Sequence, residues 1–372
     1  MDLPAPRRSN GATRSLVVVA MLAFSLGLAA CSGSVAPTAP AGGPPSPAAA
    51  GSPATPAPTV LAVASATPAA TAGPVLAVLP SPGSLKLLWQ KAGPATDKTS
   101  TVATAIDPLS GDVWVAIPFE NRYWILSPAG VYRESWGQAG TGPGQFDFSD
   151  HAQKPDGWGA LAFAPDGSFF VGDTGNNRVE HFDKDRHFVA AWGSFGTGDG
   201  QFGQIVSLAT DGQTVYVGDG DRYDIQAFHP DGTFIRSFGA DGGFTEVALD
   251  TKGNIHAVNP QNSVGAVGAL AIFAPDGAER SRLDLSAATG WPIAVTVDAV
   301  GATFVGIELD HFPFTALGVL EISLSGQVTR MWQGGGDELT STPAGDSIYV
   351  SRGVQLDGTT WPYVRKYAVP KP

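Results

Sequence analysis

The chain has 372 residues, a formal charge of −12 and a single cysteine. An acidic surface repels phosphate backbones, which argues against a nucleic-acid partner. One cysteine excludes an intrachain disulfide or a cysteine-built metal centre. Residues 1–30 carry one Asp and three Arg, so the remainder is more acidic still, at −14.

Arg7, Arg8 and Arg14 precede a short apolar run from Leu16 to Leu28, and Leu28-Ala29-Ala30-Cys31 follows. A positive start, an apolar core and small residues before a cleavage point make residues 1–30 a secretory signal. The core is shorter than the roughly 20 apolar residues of a spanning helix. Leu28-Ala-Ala-Cys31 resembles the lipobox of bacterial lipoproteins. The resemblance implies that Cys31 is acylated and becomes the new N-terminus. Several acyl chains would then hold the protein on the extracytoplasmic side of a bacterial membrane, in the cell envelope.

Residues 31–83 are built almost wholly of Ala, Pro, Gly, Ser, Thr and Val, with no charge between Arg14 and Lys86. Proline at this density favours extended conformers over regular structure, so the segment reads as a disordered tether.

From residue 84 the composition changes. Ala160 to Gly239 holds two consecutive copies of one pattern, each with four short runs of β-branched and aromatic residues. Turns such as Pro165-Asp-Gly167, Asp211-Gly212 and Pro230-Asp-Gly232 separate the runs. Such runs read as strands, and repetition at this period predicts propeller blades of four antiparallel strands. No stretch after residue 30 has a sustained helical period, so the fold is expected to be all-β. The last strand of each repeat ends near an aromatic or apolar residue: Trp89, Trp136, Trp192, Phe238, Leu285 and Trp332. These lie about 47 residues apart, with one longer interval whose excess falls within Gly137 to Gly157. Six outer strands predict six blades.

Val215-Tyr-Val-Gly-Asp219 and Asp173-Thr-Gly-Asn-Asn-Arg178 resemble the blade signature of the NHL-repeat family. Segments 102–137, 158–193 and 205–239 carry it, whereas 244–285, 291–333 and 338–369 fit by spacing and turns only. The resemblance implies a six-bladed β-propeller over residues 84–372. The sixth repeat ends before its fourth strand, while Leu85 to Trp89 is an outer strand with no blade before it. Strand 85–89 is therefore expected to complete the C-terminal blade and close the ring.

In this architecture the loops between second and third strands share one face with the blade-to-blade loops. That face would present Trp158, Asp173, Asn177, Asp219, Arg222, Tyr223, Glu308, Asp310, His311 and Trp361. The long insertion adds Asp147, Asp150, His151 and Asp156. Carboxylates, His and aromatics on one face suit a protein, peptide or glycan ligand, or a cation. Asp173, Asn177 and Asp219 better suit a local role, bonding to their own turns. Of the histidines, His181, His187, His229 and His256 fall in repeat strands or turns and are expected on pleat surfaces.

Neither a nucleophile with a base nor a phosphate loop is present. Asp219-Gly-Asp-Arg-Tyr-Asp224 lacks the spacing and terminal Glu of a calcium loop. Some six-bladed relatives are metal-dependent lactonases or lyases, with sites built from several blades inside the channel. Glu246 with Asp310 or His311 could contribute to such a site here, but no full set assembles. The expectation is a monomeric binding platform with no cofactor. The alternative is a channel enzyme holding a divalent cation.

Overall fold

Tight turns and β-branched runs build the same four-stranded unit six times. The computed structural model describes residues 83–92, 103–149, 158–259, 268–285, 291–308, 317–334, 338–356 and 359–370, with backbone alone for 92, 317, 352–356 and 359–363. The lipobox Cys31, nearly all of the tether, and Asp310, His311, Asp150, His151 and Asp156 lie outside these residues.

Blade 1 comprises Thr104–Ile106, Val113–Ile117, Arg122–Leu126 and Tyr132–Trp136. Blade 2 follows with Leu161–Phe163, Phe169–Asp173, Arg178–Phe182 and Phe188–Trp192, and blade 3 with Ile205–Thr210, Val215–Asp219, Asp224–Phe228 and Phe234–Phe238. Blade 4 contains Glu246–Leu249, Ile255–Val258, Ala269–Phe273 and Glu279–Asp284. Blade 5 contains Trp291–Val297, Thr303–Glu308, Leu317–Ile322 and Val328–Gln333. Within each blade neighbouring strands are antiparallel, and the six first strands line one central channel. Among the described residues the only helical pieces are two short 3-10 turns, Pro118–Glu120 and Thr174–Asn176.

Blade 6 joins the two ends of the chain. Glu338–Ser341, Ser347–Leu356 and Thr359–Ala368 are completed by Lys86–Ala92, which pairs antiparallel with Thr359–Ala368. Lys86 lies opposite Ala368 and Ala92 opposite Tyr363. The closing strand is thus the expected one, shifted to start one residue later and running on to Ala92. An additional feature precedes it: Gly83–Ser84 runs parallel to the outer strand of blade 5, with Gly83 opposite Trp332. Leu85 is buried where the chain crosses from one blade to the next, among Phe304, Trp332, Leu339 and Tyr367.

Aromatic rings fill the gaps between blades. Trp114, Tyr123, Phe146, Phe169 and Phe182 are buried between blades 1 and 2, and Trp136 packs against them. Fully burying a ring of this size contributes roughly 2–3 kcal/mol from the area removed from water. The residues that end the outer strands therefore serve as interblade wedges. Leu285 does the same between blades 4 and 5 without a ring.

His256 departs from the pleat-surface expectation. It is buried, and its Nδ1 lies 2.9 Å from Thr303 Oγ1 of blade 5, with Asp250 on the other side. Burial holds its pKa below the ordinary value, although Asp250 pulls the other way. The ring thereby links two blades.

Candidate functional site

The loop face is built first by its own hydrogen bonds. Asp173 ends the second strand of blade 2 and is fully buried. Its carboxylate accepts from the Asp147 backbone N–H at 2.7 Å, Asn176 Nδ2 at 2.8 Å and Arg178 Nε at 2.9 Å. Burial pushes the Asp173 carboxyl up to about 7, against the pull of those donors. Asn177 takes the left-handed conformation that caps the 3-10 turn, φ 55°. Arg178 pairs with Glu180 and donates to the carbonyls of Thr141, Gly142 and Gln145. It therefore clasps the glycine-rich loop between blades 1 and 2.

Blade 3 repeats the device. Asp219 accepts four backbone N–H groups, from Gly203, Gln204, Asp221 and Arg222, at 2.7–3.1 Å. Arg222 forms a two-pronged pair with Asp224 and donates to the carbonyls of Thr197 and Gly198. Gly137 to Phe146 and Gly193 to Phe202 are thus equivalent loops. The extra residues of the long interval lie beyond Phe148, not in the glycine run.

These bonds leave Asp173, Arg178, Asp219 and Arg222 engaged with the fold itself. Tyr223, 38% exposed, and half-buried Trp158 remain as ring surface beside them. The Trp158 indole N–H has no hydrogen-bond partner among the described residues. Glu308 ends the second strand of blade 5, and Trp361 lies in the third strand of blade 6, where only its backbone is described.

The channel offers different chemistry. It encloses about 280 Å³ and is walled by small and apolar side chains, among them Ala105, Leu161, Leu208, Val247, Val295 and Leu339. Hydroxyl groups stitch neighbouring first strands together. Thr104 Oγ1 lies 3.1 Å from Thr340 Oγ1, Thr296 Oγ1 lies 3.1 Å from Ser341 Oγ, and Ser207 Oγ accepts from the Val247 N–H at 3.1 Å. Among the described residues two carboxylic acids line the channel, Glu246 and Glu338, and none of the lining residues is Lys, Arg or His.

Glu246 opens the first strand of blade 4, opposite Val258 at the end of the second strand. This register puts it at the loop-face end of the channel, as does the pairing of Glu338 with Ser351 in blade 6. The backbone is brought in close against blade 3. A Cβ on Gly218 would stand 1.7 Å from the Thr245 carbonyl oxygen, so only glycine lets the incoming chain lie there. Glu246 is 4% exposed. Burial pushes its carboxyl up to about 8, opposed by a hydrogen bond with the Ser207 side chain. A carboxyl of this kind is largely protonated at neutral pH and can donate a hydrogen bond or a proton.

Of these residues the sequence marks out Glu246 but not Ser207, Glu338 or the hydroxyl stitches. For Ser207 and Thr296 a signal was present, a polar residue inside a mostly apolar first strand, whereas Glu338, Thr340 and Ser341 make the first strand of blade 6 mostly polar. Among the described residues no three His, Cys, Asp or Glu side chains converge on a common point.

No family model matches the chain, and no curated protein matches it. Solved structures do resemble it in shape. Virginiamycin B lyase from Staphylococcus aureus is 13% identical, with 76% of this chain and 99% of that one covered at a TM-score of 0.49. A gluconolactonase from Xanthomonas campestris is 12% identical, covering 74% and 98% at 0.48. The calcium-binding regucalcin from Agrobacterium tumefaciens is 12% identical, covering 76% and 97% at 0.46. Likenesses at this level bear on neither ligand nor reaction.

Proposed function

We propose that this chain is an extracytoplasmic binding domain, anchored through acylated Cys31, whose ligand sits on the loop face and reaches into the mouth of the central channel. The observation that carries the reading is the position of Glu246: a buried carboxyl on the wall of the open central channel. Buried ionisable groups in clefts with shifted pKa values mark functional sites more often than chance. The rings of Tyr223 and Trp158 add apolar contact surface around the loops, of the kind that anchors peptide and glycan ligands. The lipobox sequence supports the anchor and the envelope location.

Two measurements test this reading. Cys31→Ala should move the protein from membranes to the soluble fraction and abolish the acyl mass on the mature N-terminus. Peptide and glycan arrays probed with the mature protein should show binding that Tyr223→Ala, Trp158→Ala and Glu246→Gln each weaken. Unchanged array binding by all three variants would remove the site from the loop face and channel.

Glu246 also favours a second reading, a channel enzyme using this carboxyl as general acid. A group with a pKa near the operating pH is suited to that role. Turnover of lactones or esters that disappears with Glu246→Gln would select it.

A further inference from the structure

The channel differs from the loop face in the balance of its charges. On the face Asp173 and Asp224 have an Arg partner and Asp219 has four N–H donors, whereas among the described residues the channel lining carries two acids and no base. Among the described lining residues no cation is offered to an anionic ligand. The wall below Glu246 is aliphatic. From Glu246 to Leu249 the first strand of blade 4 extends roughly 10 Å, at about 3.3 Å per residue, enough to lie along a stem of four or five methylenes. Ser207 adds a hydroxyl beside the acid, and a hydroxyl can accept from a cationic N–H.

We propose that the channel mouth binds a primary ammonium group carried on a slender aliphatic stem, with Glu246 as its counter-ion and Ser207 as an accessory acceptor. The inference rests on the reading of the channel as the ligand site and names the chemistry of what enters it. A lysine side chain and a free alkylamine share that chemistry.

Binding involves a proton. The ammonium arrives charged, the Glu246 carboxyl gives its proton to solvent, and the product is an ammonium–carboxylate pair. One proton is released per ligand at neutral pH, and total charge is conserved. Other titratable groups on the strands packed around Glu246 are tied elsewhere. His256 is held by Thr303 and Asp250, and Asp219 by four backbone N–H groups. Tyr216 on the same strand as Asp219 is buried, with its phenol held above its ordinary range by that burial. Glu338 is the other acid of the channel. Because the ligand binds the ionised carboxyl, affinity should rise about tenfold per pH unit below the Glu246 pKa and level off above about 8.

The test is calorimetric titration of the mature protein with n-butylamine, cadaverine and N-acetyl-lysine methylamide at pH 6, 7 and 8, in two buffers of different ionisation enthalpy. The expected result is affinity rising about tenfold from pH 6 to pH 7, with release of one proton and no binding of n-butanol. Stronger binding of the lysine derivative would assign the ammonium to a peptide or protein, and stronger binding of the simple amines to a free metabolite. Glu246→Gln should lose at least tenfold in affinity and all of the pH slope. If that variant does not fold, the wild-type slope and Ser207→Ala carry the test. Affinity for a neutral lactone that falls above pH 8, or for calcium ion in place of amines, would overturn the ammonium assignment while keeping the channel as the site. No binding of any of these probes would overturn the assignment and the channel reading together.

Discussion

Trp89 and Tyr349 meet edge to face, with ring centroids 5.7 Å apart and planes at 60°. One ring comes from the N-terminal strand and the other from the second strand of blade 6. The Trp89 indole N–H also donates to the Pro128 carbonyl of blade 1 at 3.1 Å. A Cβ on Gly130 would stand 2.7 Å from the same indole, so the blade 1 turn closes directly over it. Trp89 thus fastens the closing strand on both sides of the seam. It is half-buried, so Trp89→Ala should cost about 2–4 kcal/mol, near or below the range for fully buried rings. Removing residues 32–82 should leave the melting temperature nearly unchanged, whereas extending the deletion through Ala92 should lower it sharply or cause aggregation. Equal melting of the two deletions would mean that the ring closes by other means.

Gly218→Ala tests the approach of the chain that delivers Glu246. The new methyl would meet the backbone oxygen of Thr245, which cannot turn aside as a side chain can. The backbone must shift, at a cost on the order of 1–3 kcal/mol. Urea unfolding should show that loss, and ligand binding at the channel should fall with it. A variant as stable as the parent would contradict the packing described.

Glu246 makes stability depend on pH with a definite sign. Its folded pKa, about 8, lies above the ordinary value of 4.5, so its contribution is fully present below about 4.5 and is lost as pH rises towards 8. The unfolded chain releases its proton first, and the folded state loses up to about 1.4 kcal/mol for each pH unit in that window. Glu246→Gln removes the dependence. The variant should gain most over the parent at pH 8 and little at pH 4, read from unfolding curves at both. An equal difference at the two pH values would rule out a buried, protonated acid.

Arg178→Ala should be among the most destabilising single changes on the loop face. It strands Asp173 and Glu180, both fully buried, without their cation. Breaking a buried pair in this way costs about 3–5 kcal/mol. Arg178→Lys should recover only part of that, since one ammonium cannot reach both carboxylates and three carbonyls at once. Full recovery by lysine would show that the geometry of the clasp is unimportant.

Blade count and seam were legible because they rest on features that repeat. Turns such as Asp211-Gly212 and the terminal aromatics recur at one period, and periodicity survives even where blades 4 to 6 have lost the Asp–Arg signature. The unpaired strand at Leu85 was legible by elimination. The site was less so. Asp173 and Asp219 suit either a ligand or a local role in the sequence; in the structure Asp173 accepts from one backbone N–H and two side chains, and Asp219 from four backbone N–H groups, some of them on the preceding loop, which no pattern reveals. Glu246 carries no repeat mark at all. Its chemistry comes from burial, which depends on Gly218 and on a neighbouring blade some forty residues away in sequence for the Ser207 contact. Parallel Gly83–Ser84 was invisible for a simpler reason: two residues have no period.

Entry of the chain at the blade 5–6 seam has a mechanical side. If the domain is anchored as proposed, tension on its N-terminal side would pass through Gly83–Ser84 and then Lys86–Ala92 before the rest of the ring felt it. Tension along the strand direction would load those backbone bonds together, in shear. Tension directed outwards from the rim would peel them one after another, at much lower force. The direction of pull, more than its size, would decide whether the ring stays shut.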